Sequence, residues 1–130
     1  MATRAEAIEN VRRYALRPFA TVGWSEELPR LLRSSHLLIS KAGGATVQEA
    51  FSAGCPMLVN HVIPGQEEGN ARYLVETNCG LVATTYDSVI AAVRSAFADD
   101  AAGWREWSKN IAAQSKPAAS LEIAQFLLSI

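Results

Sequence analysis

Leu37-Leu38-Ile39-Ser40-Lys41-Ala42-Gly43-Gly44-Ala45-Thr46 is the stretch on which the fold turns. Leu37-Leu38-Ile39-Ser40 is a compact apolar run of the kind that forms a strand buried on both faces of a parallel sheet. A lysine, paired glycines and a threonine follow, at the head of a segment in which Val47, Ala50 and Phe51 recur at helical spacing. Gly54 is placed to end that helix. A strand that feeds a helix through a glycine turn is the building unit of an α/β fold.

The same rhythm continues downstream. Met57-Leu58-Val59-Asn60 reads as a second buried strand, begun after Pro56. Residues 67–77 read as a helix with Ala71, Leu74 and Val75 inward, and Gly80 leads into a third strand, Leu81-Val82-Ala83-Thr84. Val89, Val93, Ala96 and Phe97 mark another amphipathic helix. Beyond it lie Trp104 and Trp107, then a tail from Leu121 to Ile130 that is apolar almost all round and must dock against something. Upstream, Leu28, Leu31 and Leu32 predict a short helix with Pro29 in its first turn, the only place a proline is tolerated. Phe19-Ala20-Thr21-Val22-Gly23-Trp24, opened by Pro18, reads as a strand, and Ile8, Val11, Tyr14 and Ala15 as a helix. Strands alternating with helices predict a Rossmann-like parallel sheet covered by helices on both faces.

At 130 residues the chain fits one domain. Apolar residues make up 49% and charged residues 19%, which excludes a disordered, solvating chain. Twelve basic against 13 acidic side chains leave a formal charge of −1, which argues against nucleic-acid binding, a function that needs a concentrated basic field. No apolar run approaches the roughly 20 residues of a membrane span, and no signal peptide opens the sequence. Cys55 and Cys79 have no metal-ligand spacing and read as small buried apolar residues, so the expectation is a soluble protein of a reducing compartment without a metal site.

In open parallel sheets ligands sit beyond the carboxyl ends of the strands, so the residues after each strand carry the chemistry. Lys41-Ala42-Gly43-Gly44-Ala45-Thr46 fits an anion site: glycines let backbone N–H groups approach a phosphate, and the helix start adds partial positive charge. It matches neither a Walker loop nor G-x-G-x-x-G. Thr46 with Glu49 also has the spacing of a capping box, which needs no ligand. Trp24 either stacks on a base or closes the core. Pro64-Gly65-Gln66-Glu67-Glu68-Gly69-Asn70 is either a polar turn entering a helix or a surface for polyhydroxyl recognition. His61 follows a strand and is placed to line the site, whereas His36 precedes one and reads as structural. No Ser/His/Asp order, carboxylate pair or metal cluster stands out, so catalysis by this chain's own groups is not indicated.

The run Ile39–Ala50, then Ala53-Gly54-Cys55-Pro56, then Ile63–Ala71 resembles glycosyltransferase family 28. Specifically, it is similar to the C-terminal, nucleotide-sugar-binding half of GT-B enzymes such as monogalactosyldiacylglycerol synthases and the peptidoglycan lipid-intermediate GlcNAc transferase. The matching run, from Trp24 to Ala83, covers about half the chain and carries the three motifs in order; the diacylglycerol enzymes are nearer through Lys-Ala-Gly and Pro-Gly-Gln-Glu. The resemblance implies that residues 1–130 form a donor-binding domain, the truncated C-terminal half of a GT-B fold. By position, Trp24 would stack on uracil and the Ser25 backbone would read the base edge. Gly43, Gly44, Ala45 and Thr46 would hold the diphosphate, with Lys41 as a counter-charge, and Glu49 would accept from ribose hydroxyls. Gln66 and Glu67 would face the donor sugar, with Asn70 supporting their loop and His61 lining the site.

The activity so implied is inverting transfer of a hexosyl group from a UDP-sugar to a lipid acceptor. No cofactor or metal is expected, and the catalytic base is expected outside this chain. Family members carry a further strand–helix–strand portion before the segment corresponding to residues 3–16, and an N-terminal acceptor domain that holds the base. Neither has a counterpart among these 130 residues, so the expectation is a fragment or a subunit completed by a partner. In the family's sheet order the absent strands separate the one near Phe19–Gly23 from the one near Leu37–Ser40. The expected partners are therefore an acceptor-binding domain or subunit, further copies of the chain, and a membrane reached peripherally through the missing half. The expected location is the cytoplasm, at the inner face of a membrane. Two other functions share the pattern: a non-catalytic nucleotide-sugar-binding subunit, and a UDP-sugar epimerase of GT-B architecture.

Overall fold

The computed structural model describes Glu6, Glu9 and residues 19–130. The helix expected on Ile8, Val11, Tyr14 and Ala15 rests on residues outside that set. Chain order runs α1 (Leu28–Arg33), β1 (Leu38–Lys41), α2 (Gly44–Ala53), β2 (Met57–His61), α3 (Glu68–Glu76), β3 (Gly80–Val82), α4 (Tyr86–Gln114) and α5 (Ala119–Leu128). The strands form one parallel sheet in the order β1-β2-β3. Leu38 lies opposite Met57 and Ser40 opposite Val59, and a bulge after Ser40 brings Lys41 opposite His61.

β2 is the central strand, and its sequence shows why. Met57, Leu58 and Val59 are fully buried, and alternation sends their side chains to both faces. On one face Met57 and Val59 pack with Val47, Ala50 and Phe51 of α2, Ala71 and Leu74 of α3, and Ile111 of α4. On the other Leu58 packs with Ala83 and with Ala92 and Val89 of α4. Each of the large side chains among these contributes about 1.5–3 kcal/mol on burial, so this layer supplies most of the driving force for folding. Helices therefore cover both faces of a Rossmann-like parallel sheet.

Local chemistry sets the boundaries. Gly54 takes φ 68°, the left-handed conformation that closes α2, and its N–H donates to Phe51 at 3.1 Å. Thr85 caps α4: its side chain accepts from the Ser88 amide while Ser88 Oγ accepts from the Thr85 amide. α4 breaks at Ala98–Ala101, where Asp99, Asp100 and Ala101 all have positive φ. The break folds the second half back. Trp104 stacks on Phe97 across it and donates Nε1–H to the His36 carbonyl at 2.6 Å, and Ile111 returns to the core.

Four expectations need correction. Phe19–Trp24 is not a strand. A strand draws its backbone hydrogen bonds from neighbours, and among the described residues none pairs with this segment; Phe19, Val22 and Trp24 are exposed. β1 is not buried on both faces, because it is an edge strand whose Ile39 faces outward. Val75 is exposed, since the turns of α3 turn Ala71 and Leu74 inward instead. The third strand stops at Val82, where the chain turns toward the Thr85 cap. The tail from Leu121 to Ile130 forms α5 with no buried residue.

Candidate functional site

The loops that follow β1, β2 and β3 emerge at the same edge of the sheet, because the strands are parallel. The loop after β1 is the tightest. Gly43, in extended conformation, precedes α2, and the first helical hydrogen bond runs from the Val47 N–H to its carbonyl at 2.9 Å. The amides of Gly44, Ala45 and Thr46 thus lie ahead of the helical ladder, and no side chain caps them. The capping box of Thr46 and Glu49 is therefore not formed: the helix begins before Thr46, which sits in its first turn. Uncapped amides at the head of a helix are the arrangement that receives anions.

Residues of the β2–α3 loop brace this turn. Lys41 Nζ lies 2.5 Å from Glu67 Oε1, while Glu67 Oε2 accepts from the Ile63 amide at 3.0 Å. Glu67 is only 5% exposed, whereas the Lys41 side chain is about half exposed. The Lys41 ammonium, aided by the Ile63 amide and by His61, holds the Glu67 carboxyl below the usual glutamate range despite its burial. Asn70, in the first turn of α3, donates Nδ2–H to the Ala42 carbonyl at 3.0 Å. A Cβ on Gly43 would stand 3.0 Å from Lys41 Nζ and 3.5 Å from Thr46 Oγ1, so a side chain there would displace the ammonium. Glu68 accepts from the Gly65 amide with both carboxylate oxygens at 2.8 Å, fixing the turn that carries Gln66.

The structure therefore gathers Lys41, Gly43, Gly44, Thr46, Glu67 and Asn70 into one cluster, with Ala45 on the same helical turn. His61 stands beside Lys41 in the strand register and is exposed, as is Gln66 on the 64–67 turn. Glu49 is exposed further along α2. It lies on a groove of about 280 Å³ whose opposite wall is Pro29, Leu32 and Arg33 of α1. Trp24 and Ser25 belong to the irregular segment before α1. Trp24 is 87% exposed, and Ser25 Oγ accepts from the Glu27 amide at 3.1 Å, which leads the chain into the helix. Sequence reasoning missed the roles of Ile63 and Glu68. Glu68 had a signal, an acid at a helix start two residues before Asn70; the Ile63 amide had none, because a backbone donor leaves no trace in residue type.

Among the described residues no helix is long and apolar enough to cross a membrane. The sequence profile of the glycosyltransferase family 28 C-terminal domain matches residues 3–122. The processive diacylglycerol beta-glucosyltransferase of Bacillus licheniformis is 29% identical over 105 residues, which are 81% of this chain and 27% of that protein. Monogalactosyldiacylglycerol synthase 3, chloroplastic, of Arabidopsis thaliana is 28% identical over 108 residues, 83% of this chain and 23% of that protein. The chain thus spans about a quarter of the length of these curated relatives. The crystal structure of the glycotransferase of kitacinnamycin shares the fold, with a TM-score of 0.55 at 18% identity over 78% of this chain and 28% of that one.

Proposed function

Because the chain belongs to the glycosyltransferase family 28 C-terminal domain family, we propose that it forms the donor-binding part of an inverting glycosyltransferase that takes a UDP-sugar and serves hexosyl transfer to a lipid acceptor. The observation that carries this reading is the uncapped head of α2, where the amides of Gly44, Ala45 and Thr46 face the carboxyl edge of the sheet beside Lys41. A diphosphate is the part of a UDP-sugar that such a turn suits best.

The remaining roles follow by position. Trp24 stacks on uracil and the Ser25 backbone reads the base edge. Glu49 accepts from the ribose hydroxyls, and the sugar lies against Gln66 and Asn70, with His61 lining the site. Displacement at the anomeric carbon uses an acceptor hydroxyl deprotonated by a base on the acceptor-binding half. The α2 amides stabilise the charge that develops on the departing diphosphate. Relatives named for diacylglycerol support a lipid acceptor, which the whole protein would meet at a membrane surface.

Titration of the chain with UDP, UMP and ADP, followed by tryptophan fluorescence and calorimetry, tests this. UDP is expected to bind more tightly than UMP, and ADP much more weakly than UDP. Equal affinity for UDP and UMP would remove the diphosphate site, and equal affinity for UDP and ADP would remove base recognition.

A further inference from the structure

Glu67 is the one charged side chain in the buried set of the described residues, and both its oxygens already have donors within the protein. At 5% exposure, a carboxylate held by these two donors offers little accessible surface to a sugar hydroxyl. Its partner is in the opposite position. An ammonium carries three N–H donors, one of which meets Glu67, and the Lys41 side chain is half exposed. Nζ also lies over Gly43, 3.0 Å from where a Cβ on that residue would stand.

We propose that Glu67 is a positioning residue: it fixes Lys41 Nζ against the Gly43–Gly44 turn, so that the remaining ammonium protons face the diphosphate bound by the amides of α2. The inference rests on the donor-binding reading above and assigns Glu67 to the phosphates instead of the sugar. A lysine has a long flexible stem, and holding it in one rotamer costs up to about 2 kcal/mol of side-chain entropy. The Glu67 contact meets that cost during folding, before any ligand arrives. The second oxygen on the Ile63 amide prevents Glu67 from following the lysine outward. The loop after β2 thereby sets the charge presented by the loop after β1.

Affinities for UDP, uridine and UDP-glucose, measured by calorimetry on the full chain, separate the possible roles. Glu67→Gln and Lys41→Met are each expected to weaken UDP about tenfold, which corresponds to about 1.4 kcal/mol. The double variant is expected to be no worse than either single one, because the two residues act as a unit. Uridine affinity is expected to stay unchanged throughout. Glu67→Gln that spares UDP but weakens UDP-glucose would make Glu67 a sugar ligand and overturn the proposal, as would equal losses for uridine and UDP. If the unsubstituted chain binds no UDP, the donor-binding reading itself fails. The clamp is then judged without ligand by amide hydrogen exchange. Faster exchange at Ile63 and at residues 42–46 in Glu67→Ala supports it, and unchanged exchange overturns it.

Discussion

Asn70 Nδ2 donates to the Ala42 carbonyl at 3.0 Å, so the first turn of α3 carries the end of β1. The two residues are 28 positions apart, and the contact spans the whole of α2 and β2. A glycine turn is floppy by composition, since each glycine loses more backbone freedom on ordering than any other residue. Asn70 from above and Glu67 through Lys41 remove that freedom at two points. The rigidity of the Gly43–Gly44 turn is thus supplied from the neighbouring loop.

Asn70→Ala is expected to cost about 1 kcal/mol of unfolding free energy, the ordinary worth of one such hydrogen bond. It is also expected to weaken UDP several-fold while leaving uridine alone. Urea unfolding and calorimetry report the two effects separately. Loss of stability with full UDP affinity would make the bond a purely structural strut.

The Glu67 carboxyl has its pKa lowered in the folded state, first by the hydrogen bond from Lys41. A lowered folded value means that the carboxylate stabilises the fold above the ordinary glutamate pKa of about 4.3, and that this stability is lost as pH falls through the folded value. The acid limb of the Tm profile is therefore expected to be shallower in Glu67→Gln than in the unsubstituted chain, with the two curves converging at low pH. Parallel curves across the acid range would show that Lys41 does not perturb Glu67.

Two substitutions test the packing that places the site. A Cβ on Gly80 would stand 1.8 Å from the Met57 carbonyl oxygen, a clash with backbone that no side-chain rotation relieves. Gly80→Ala is expected to cost about 3 kcal/mol or to prevent pairing of β3 altogether. Ile111→Ala, at a fully buried position in the main core, is expected to cost about 2–5 kcal/mol. A loss under about 0.5 kcal/mol at Ile111, the scale of ordinary surface changes, would mean that the second half of α4 does not dock on the sheet.

The centre of the fold was legible because its pattern is local. Met57–Val59, Val47 with Ala50 and Phe51, and Gly54 each declare their element within a few residues, and the structure has all of them. The failures came where the answer depends on neighbours. Phe19–Trp24 has the composition of a strand but, among the described residues, no strand paired with it, and Ile39 looks fully buried until β1 is seen to lie at the edge. The break at Ala98–Ala101 contains no glycine or proline; it is held by Trp104 stacking on Phe97, by the close approach of Gly103 to Ala96, and by the contact of Trp104 with His36, 68 positions away. At the site, the glycine turn was readable from Lys41–Thr46. The pairing of Lys41 with Glu67 was not, because the 26 positions between them close only through the sheet register.

α5 presents Leu121, Ile123, Phe126, Leu127 and Leu128 to solvent, all at least 60% exposed. An apolar surface of this kind is expected to drive self-association at micromolar concentration. Light scattering is expected to give a dimer or larger species, and Phe126→Glu with Leu127→Glu to shift it toward monomer. A monodisperse monomer of the unsubstituted chain with sharp, cooperative melting would count against this.

The central claim is that the head of α2 holds the diphosphate of a nucleotide sugar, and backbone amide shifts during a UDP titration test it most directly. The expected result is saturable shifts at Gly43, Gly44, Ala45 and Thr46, with smaller ones at Ile63–Asn70 and at Trp24, and loss of the residue 43–46 shifts when uridine replaces UDP. Shifts that leave residues 43–46 unmoved at saturating UDP, or that are the same for uridine, would contradict it.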